Sequence, residues 1–349
     1  MSRTLLARSH SFGLPGTVCG VKPIVARPNE PELAAGFRKD PDGEAFLGDL
    51  NAALAAFEDE RYAALEETLP TLHVIGAPRS GTTLLHQVVS SGLDVGSVTN
   101  LVAAFWRAPV TGLRLARSLG AHRVDSAFDS TFGRTRGIVE PHEFGYFWNH
   151  HLRYPDLAER APEHADTIDW ERLALIIRNM AAAAGAPFVF KPMLLTWHLE
   201  RMVEVMPRTC YVWIRRDRRA TATSLLGMRR SVFGADDVWA SLQPREALDD
   251  EPPWRQVAAQ VVLLERTIAA AVRRLGPDRV LESTYEELCG DPVGVLEKVR
   301  TLMGRHGCAP DLVTPSLAPF SPDPSDALER EFGDRIEAAI AHFEDLYGA

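Results

Sequence analysis

Short apolar runs alternate with helical-period stretches through the middle of the chain. Residues 71–77 (TLHVIGA) are apolar and β-branched and close on Gly-Ala-Pro, and residues 82–91 behind them repeat apolar positions at helical spacing until Gly92. The couplet recurs at 187–191 (PFVFK) with 197–205, and at 209–214 (TCYVWI) with 219–228. It recurs again at 279–282, with a helix opening after Asp291-Pro292. Runs that are apolar at nearly every position are those of strands covered on both faces. Strands alternating with helices of this length predict an α/β fold: one large domain with a central, mostly parallel sheet flanked by helices. The strand at 187–191 is expected beside the one at 71–77.

The flanking regions pattern differently. Residues 1–43 carry Pro15, Pro23, Pro28, Pro31 and Pro41 with no clear period, and read as an irregular arm. Between 44 and 69, Phe46, Leu50, Leu54, Phe57 and Leu65 fall at helical spacing and predict one or two amphipathic helices. The stretch 92–186 is rich in aromatics, histidine and irregular helix, and reads as a helical insertion between the first two strand–helix units. Residues 254–275 and 326–347 predict two long helices. The chain thus divides into an extension (1–70), an α/β core (71–304) and a C-terminal tail with a helix (305–349).

Composition narrows the partners. Among 349 residues, 38 Lys and Arg face 47 Asp and Glu, a formal charge of −9, which is unsuited to wrapping nucleic acid or coating an anionic membrane. The longest apolar stretch, 173–190, is broken by Arg178, Asn179, Gly185 and Pro187, so no membrane span is expected. Arg8 and His10 interrupt the N-terminus before a signal-peptide core develops. Cys19, Cys210, Cys289 and Cys308 form neither a CxxC pair nor a dense framework. A reduced, cytoplasmic protein is the expectation. Only four of the cations are lysines, namely Lys22, Lys39, Lys191 and Lys298. An anionic ligand has to be gathered by a local group of arginines.

Two such places stand out. Gly76-Ala-Pro-Arg79-Ser80-Gly81-Thr82-Thr83 joins a predicted strand to a predicted helix, the setting in which backbone N–H groups and a helix N-terminus cradle an anion. Its glycine spacing matches GxxxxGK[ST], but Thr82 stands at the lysine position and Arg79 supplies a cation three residues earlier. The second is Arg215-Arg216-Asp-Arg218-Arg219 at the end of TCYVWI, within a span (201–230) that holds eight arginines. Arg216 at the strand end and Ser224 on the next helix are placed to clamp a phosphate. Arg215, Arg218 and Arg219 read as a solvated basic face.

The segment Pro78-Arg-Ser-Gly-Thr-Thr83 after an apolar strand resembles the 5′-phosphosulfate loop of sulfotransferases that use 3′-phosphoadenylyl sulfate (PAPS). The resemblance implies a P-loop-type fold with Arg79, Ser80, Gly81, Thr82 and Thr83 at the donor's 5′ end. Arg216 and Ser224 match the family's 3′-phosphate site, although Arg218 stands where many members have Pro. Ser283-Thr-Tyr285-Glu-Glu-Leu288 resembles the segment whose Tyr lies near the adenine. The Gly-x-x-Gly-x-x-Lys loop that some relatives carry near the C-terminus is absent.

The implied reaction is in-line transfer of a sulfuryl group to a hydroxyl or amine of a small-molecule, lipid or carbohydrate acceptor, leaving 3′-phosphoadenosine 5′-phosphate (PAP). Cationic side chains serve the bridging oxygen without a metal ion. Arg79 and Lys191 are the candidates. Many cytosolic relatives have Lys-Thr-His at this strand end; here Lys191-Pro192-Met193 keeps the lysine and lacks the histidine base. The segment Glu140-Pro-His142-Glu143 in the insertion offers substitutes, with Glu143 first, His142 second and Glu140 third. A carboxylate in an aromatic cleft suits that task. Phe144, Tyr146, Phe147, Trp148 and Tyr154 read as core residues with at most a contribution to an acceptor pocket. A metal site of His142, Glu143, His150 and His151 is conceivable, but no HExxH pattern supports it. Two other readings fit parts of the pattern: a P-loop small-molecule kinase or NTPase, and a non-catalytic nucleotide-binding relative.

Overall fold

A computed structural model of the chain describes residues 33–154, 165–314, 316–321 and 326–348. Most of the predicted irregular arm lies outside the described residues. Glu32–Ala349 forms one compact unit. Its centre is a five-stranded, all-parallel sheet in the order β2-β3-β1-β4-β5. The strands are β1 (Thr71–Ile75), β2 (Gly96–Ser97), β3 (Phe188–Phe190), β4 (Cys210–Arg215) and β5 (Val280–Thr284). As expected, β1 lies beside β3, with Thr71 opposite Phe188, and its other neighbour is β4. The chain runs from β1 out to β2 and back to β3 on one side, then crosses to β4 and β5 on the other, so the C-terminal end of β1 beside β4 is a topological switch point, where open α/β sheets bind ligands. The two-residue edge strand β2 is too short to leave a sequence pattern.

Side chains alternate across the sheet. Phe188, Phe190, Tyr211 and Trp213 face one core, packed by the insertion helices, while Leu72, Val74, Val189, Val212 and Ile214 face the other. Helix α1 (Pro41–Asp59) starts where the Asp40 carboxylate caps the Gly43 N–H and Pro41 takes the first helical position. It ends ten residues before the predicted limit. Beyond it, the Asn179 side-chain amide pairs with both backbone groups of Ala63, so this segment bonds to a neighbouring helix rather than to itself. Helix α2 (Thr82–Gly92) follows β1, and the insertion contributes α3 (Asn100–Ala103), α4 (Pro109–Ser118), α5 (Gly145–His151) and α6 (Trp170–Ala184).

The helix expected at 197–205 begins later, as α7 (Leu199–Val205), behind a 3-10 turn over Met193–Trp197. Then come α8 (Arg218–Phe233), α9 (Pro253–Leu275), α10 (Tyr285–Gly290) and α11 (Pro292–Arg305). The last helix, α12 (Asp326–Tyr347), packs with α8 and α9 around a third apolar cluster containing Leu225, Val261, Ile336 and Phe343. No helix among the described residues is long and apolar enough to cross a membrane.

Candidate active site

The phosphate-type loop sits at the switch point, between β1 and α2. Gly81 has φ +98°, and a Cβ there would lie 2.5 Å from Cδ2 of Tyr285, so only glycine fits. Arg79 has φ +71°, an unfavourable conformation for a side-chain-bearing residue that costs about 1–3 kcal/mol and is typical of ligand clamps. Ser80 is fully buried and its Oγ finds no hydrogen-bond partner among the described residues. A buried hydroxyl without a partner is unfavourable unless a ligand supplies one. A cradle closed to any Cβ, together with this orphan hydroxyl, fits an anionic group.

Arg216 and Ser224 come to the same loop from the end of β4 and the second turn of α8. The Arg79 Nε donates to Ser224 Oγ (3.2 Å), joining the two sequence motifs. The Arg216 guanidinium stacks 4.5 Å over the ring of Tyr285, which opens α10. The other arginines of the 201–230 span are engaged elsewhere. Arg218 pairs with Glu265 (2.6 Å) and Glu344, and Arg219 pairs with Glu329 and Asp334. Arg229 is buried against Gln256 and Gln260, and Arg230 pairs with Asp236 and Glu331. The solvated basic face expected of Arg218 and Arg219 is therefore a set of half-buried ion pairs to α9 and α12. The carboxylates that absorb them lie 47 to 126 residues away in sequence.

The third component is at the end of β3. Lys191 is 3% exposed, and its Nζ donates to Thr83 Oγ1 (2.9 Å) and forms an ion pair with Glu143 Oε1. The loop, the sheet end and the insertion meet on this one ammonium. The Glu143 side chain is 40% exposed, so the carboxylate keeps access to an incoming group. Gly133 lies against the same cluster: a Cβ there would lie 2.9 Å from Glu143 Oε1, 3.7 Å from Thr83 Oγ1 and 3.9 Å from Lys191 Nζ, and φ is +85°. The adjacent Phe132 packs 5.1 Å from the Arg79 guanidinium and 6.2 Å from the ring of Phe37. Sequence reasoning missed this Phe132-Gly133 turn; a lone Phe-Gly pair in an irregular stretch is a weak signal.

His142 Nδ1 accepts the Phe144 N–H (2.9 Å), which leaves Nε2 to carry the proton of the neutral ring. His86, on α2, hydrogen-bonds Ser97 Oγ of β2 (3.2 Å); burial, reinforced by the Lys191 charge, brings it down to about 3.

Other candidates are placed differently. Both Glu140 oxygens are taken: one accepts the Ala127 N–H, the other accepts from Gln87 (3.2 Å) and Ser126 (2.9 Å). These bonds tie the 126–140 stretch of the insertion to α2, and Lys191 pairs with Glu143 instead. His150 and His151 instead line a separate cavity of about 150 Å³ with Tyr62, Arg107 and Arg172. The described residues contain no group of three or more metal-ligating side chains, so the conceivable His142/Glu143/His150/His151 set does not assemble. Phe144, Phe147, Trp148 and Tyr154 are core residues, and Tyr146 packs on Trp106 and hydrogen-bonds Glu44.

A family model described as "Sulfotransferase family" matches residues 70–306, more than half of the chain. The chain belongs to the sulfotransferase family. The matched span runs from the start of β1 to the end of α11 and contains the loop, Lys191, Arg216, Ser224 and Tyr285. The chain is similar to the omega-hydroxy-beta-dihydromenaquinone-9 sulfotransferase Stf3 of Mycobacterium bovis, at 22% identity over 281 residues that cover 74% of this chain and 70% of that protein. The Stf3 of Mycobacterium tuberculosis matches at the same identity and coverage. Among solved structures, the sulfotransferase STF9 from Mycobacterium avium aligns over 93% of this chain and 88% of its own, with a TM-score of 0.54 at 14% identity. That likeness supports the α/β sulfotransferase fold. As a member of the family the protein is a transferase that moves a sulfuryl group from a donor to an acceptor.

Proposed function

We propose that the sulfuryl donor is PAPS and that the acceptor is a hydroxyl on a small-molecule or lipid. The observation that carries this reading is the double engagement of Lys191, which joins the loop residue Thr83 to the carboxylate of Glu143. The loop N–H groups with Arg79, Ser80, Gly81, Thr82 and Thr83 hold the 5′-phosphosulfate. Arg216 and Ser224 hold the 3′-phosphate, and Tyr285 flanks the adenine. Residues 71–304 form the donor-binding core, and the 92–186 insertion supplies the acceptor side, since both Glu143 and Gly133 approach Lys191 from it.

The roles follow from charge and position. Glu143 accepts the acceptor's proton, its partial exposure leaving room for a hydroxyl to come within hydrogen-bond distance. His142 stands second in this role, because its Nδ1 is already engaged. In the in-line exchange a bond forms from acceptor oxygen to sulfur as the donor's bridging S–O bond breaks. Lys191, with Arg79, offsets the charge that develops on the departing oxygen. Lys191 and Glu143 neutralise each other in the ligand-free protein, so donor and acceptor entry separates a pair that is already poised. The Mycobacterium relatives are named for an omega-hydroxy menaquinone acceptor, and the Phe37–Phe132 wall suits an apolar body carrying such a hydroxyl.

The test is transfer of ³⁵S from labelled PAPS to a panel of isoprenoid alcohols, phenols and sugars. Transfer by the wild-type protein that falls about a hundredfold or more in Glu143→Gln supports the reading. Full turnover by Glu143→Gln discards Glu143 as the base.

A further inference from the structure

The C-terminal helix α12 lies beyond residue 306, outside the span shared with the family model. It nevertheless contacts α8, the helix that carries Ser224 and begins two residues after Arg216. The contact is polar and directed. One oxygen of Glu329 accepts from Arg219 Nε, and the other accepts from Thr223 Oγ1 at 3.1 Å. Arg219 also donates to Asp334 (3.1 Å). Arg218 donates to Glu344 of α12 and to the buried Glu265 of α9. Gly333 lets the helices approach: a Cβ there would lie 2.3 Å from Arg219 Nη2 and 2.7 Å from Glu329 Oε1.

A helix fixed at Arg218, Arg219 and Thr223 has its rotation and height set. Thr223 is fully buried and adjoins Ser224 in sequence, so a rotation of α8 that releases the Thr223–Glu329 bond swings the Ser224 hydroxyl away from Arg79. The geometry points to Glu329 as a positioning residue for the donor's 3′-phosphate: α12 acts through α8 to hold Ser224 and Arg216 in register with the loop. Glu329 touches neither donor nor acceptor. This inference rests on the assignment of Arg216 and Ser224 to the 3′-phosphate.

The readout is the preference for PAP over AMP, which lacks that phosphate, measured by isothermal titration calorimetry on the full chain. The wild-type protein binds PAP more tightly than AMP. Glu329→Gln and Thr223→Val lower PAP affinity about tenfold while AMP affinity stays within about twofold, because only the 3′ contacts lose their alignment. The control Glu331→Gln removes an α12 ion pair to Arg230, at the far end of α8, and leaves the preference intact. An unchanged preference in both Glu329→Gln and Thr223→Val overturns the inference. So does an equal fall for PAP and AMP, which marks general loosening. A wild-type protein without preference for PAP overturns the donor assignment itself, and the inference with it.

Discussion

Replacing Arg216 with alanine separates donor recognition from folding. In the ligand-free protein, Arg216 stacks on Tyr285 at 4.5 Å, an interaction worth about 0.5–1 kcal/mol at a partly exposed site. A chain of this length unfolds with an entropy of roughly 0.7 kcal/mol/K, so the variant loses only about 1 °C in melting temperature. In the proposed donor site the same guanidinium would make charge-assisted hydrogen bonds to the 3′-phosphate worth about 2–3 kcal/mol, a change in affinity of about 30-fold to 150-fold. At PAP one hundred times its Kd, the wild-type protein gains about 2.7 kcal/mol, or about 4 °C. At the same concentration Arg216→Ala gains less than about 1 kcal/mol, or about 1 °C. Differential scanning fluorimetry with PAP, with AMP as comparison, measures both numbers. A 4 °C shift surviving in Arg216→Ala, or AMP matching PAP in the wild-type protein, refutes the reasoning.

Three further outcomes are expected. Lys191→Met lowers sulfuryl transfer by roughly 10² to 10³, the usual effect of losing one preorganised charge at the developing anion. Its melting temperature stays within a few degrees, because Glu143 is left partly solvated; an active Lys191→Met contradicts the assignment. Gly81→Ala abolishes PAP binding in the calorimeter, since its Cβ meets the Tyr285 ring and its φ is strained; retained affinity contradicts the cradle. His73 is fully buried among Trp148, Phe190 and Tyr211 with neither ring nitrogen hydrogen-bonded among the described residues, and burial brings its pKa down to about 3. The unfolded chain binds a proton near pH 6.5 that the folded chain refuses, so this stability is full above pH 6.5 and falls toward pH 3 by about 1.4 kcal/mol per unit. Urea unfolding at pH 7 and pH 5 should show a smaller acid loss in His73→Phe, and identical losses exclude His73 as a contributor.

The parts of the fold legible in the sequence are those with short-range causes. Strands β1, β3 and β4 are buried on both faces and announce themselves as apolar runs, and the end of α2 is marked by Gly92. The loop was legible because glycine spacing between a strand and a helix has few other meanings. Long-range partners were not. Nothing local distinguishes Arg216, which stays at the loop, from Arg218 and Arg219, which distant carboxylates capture. Likewise, the 140–143 segment offers two glutamates with similar surroundings in sequence. Only tertiary contacts separate Glu140, engaged by Gln87, Ser126 and Ala127, from Glu143 on Lys191. Helix α1 ended early for the same reason, because Asn179 is 116 residues away from the backbone it binds. The net charge of −9 argues against polyanion partners, but gives no hint that most arginines in the 201–230 span serve as internal struts.

The most direct measurement is a calorimetric titration of the wild-type protein with PAP in the presence of EDTA, set against ATP with Mg²⁺. A loop with Thr82 in place of the usual lysine, backed by Arg79, Arg216 and Ser224, predicts binding of PAP and none of ATP. Tight binding of ATP with Mg²⁺ and silence toward PAP would contradict the donor assignment at its root.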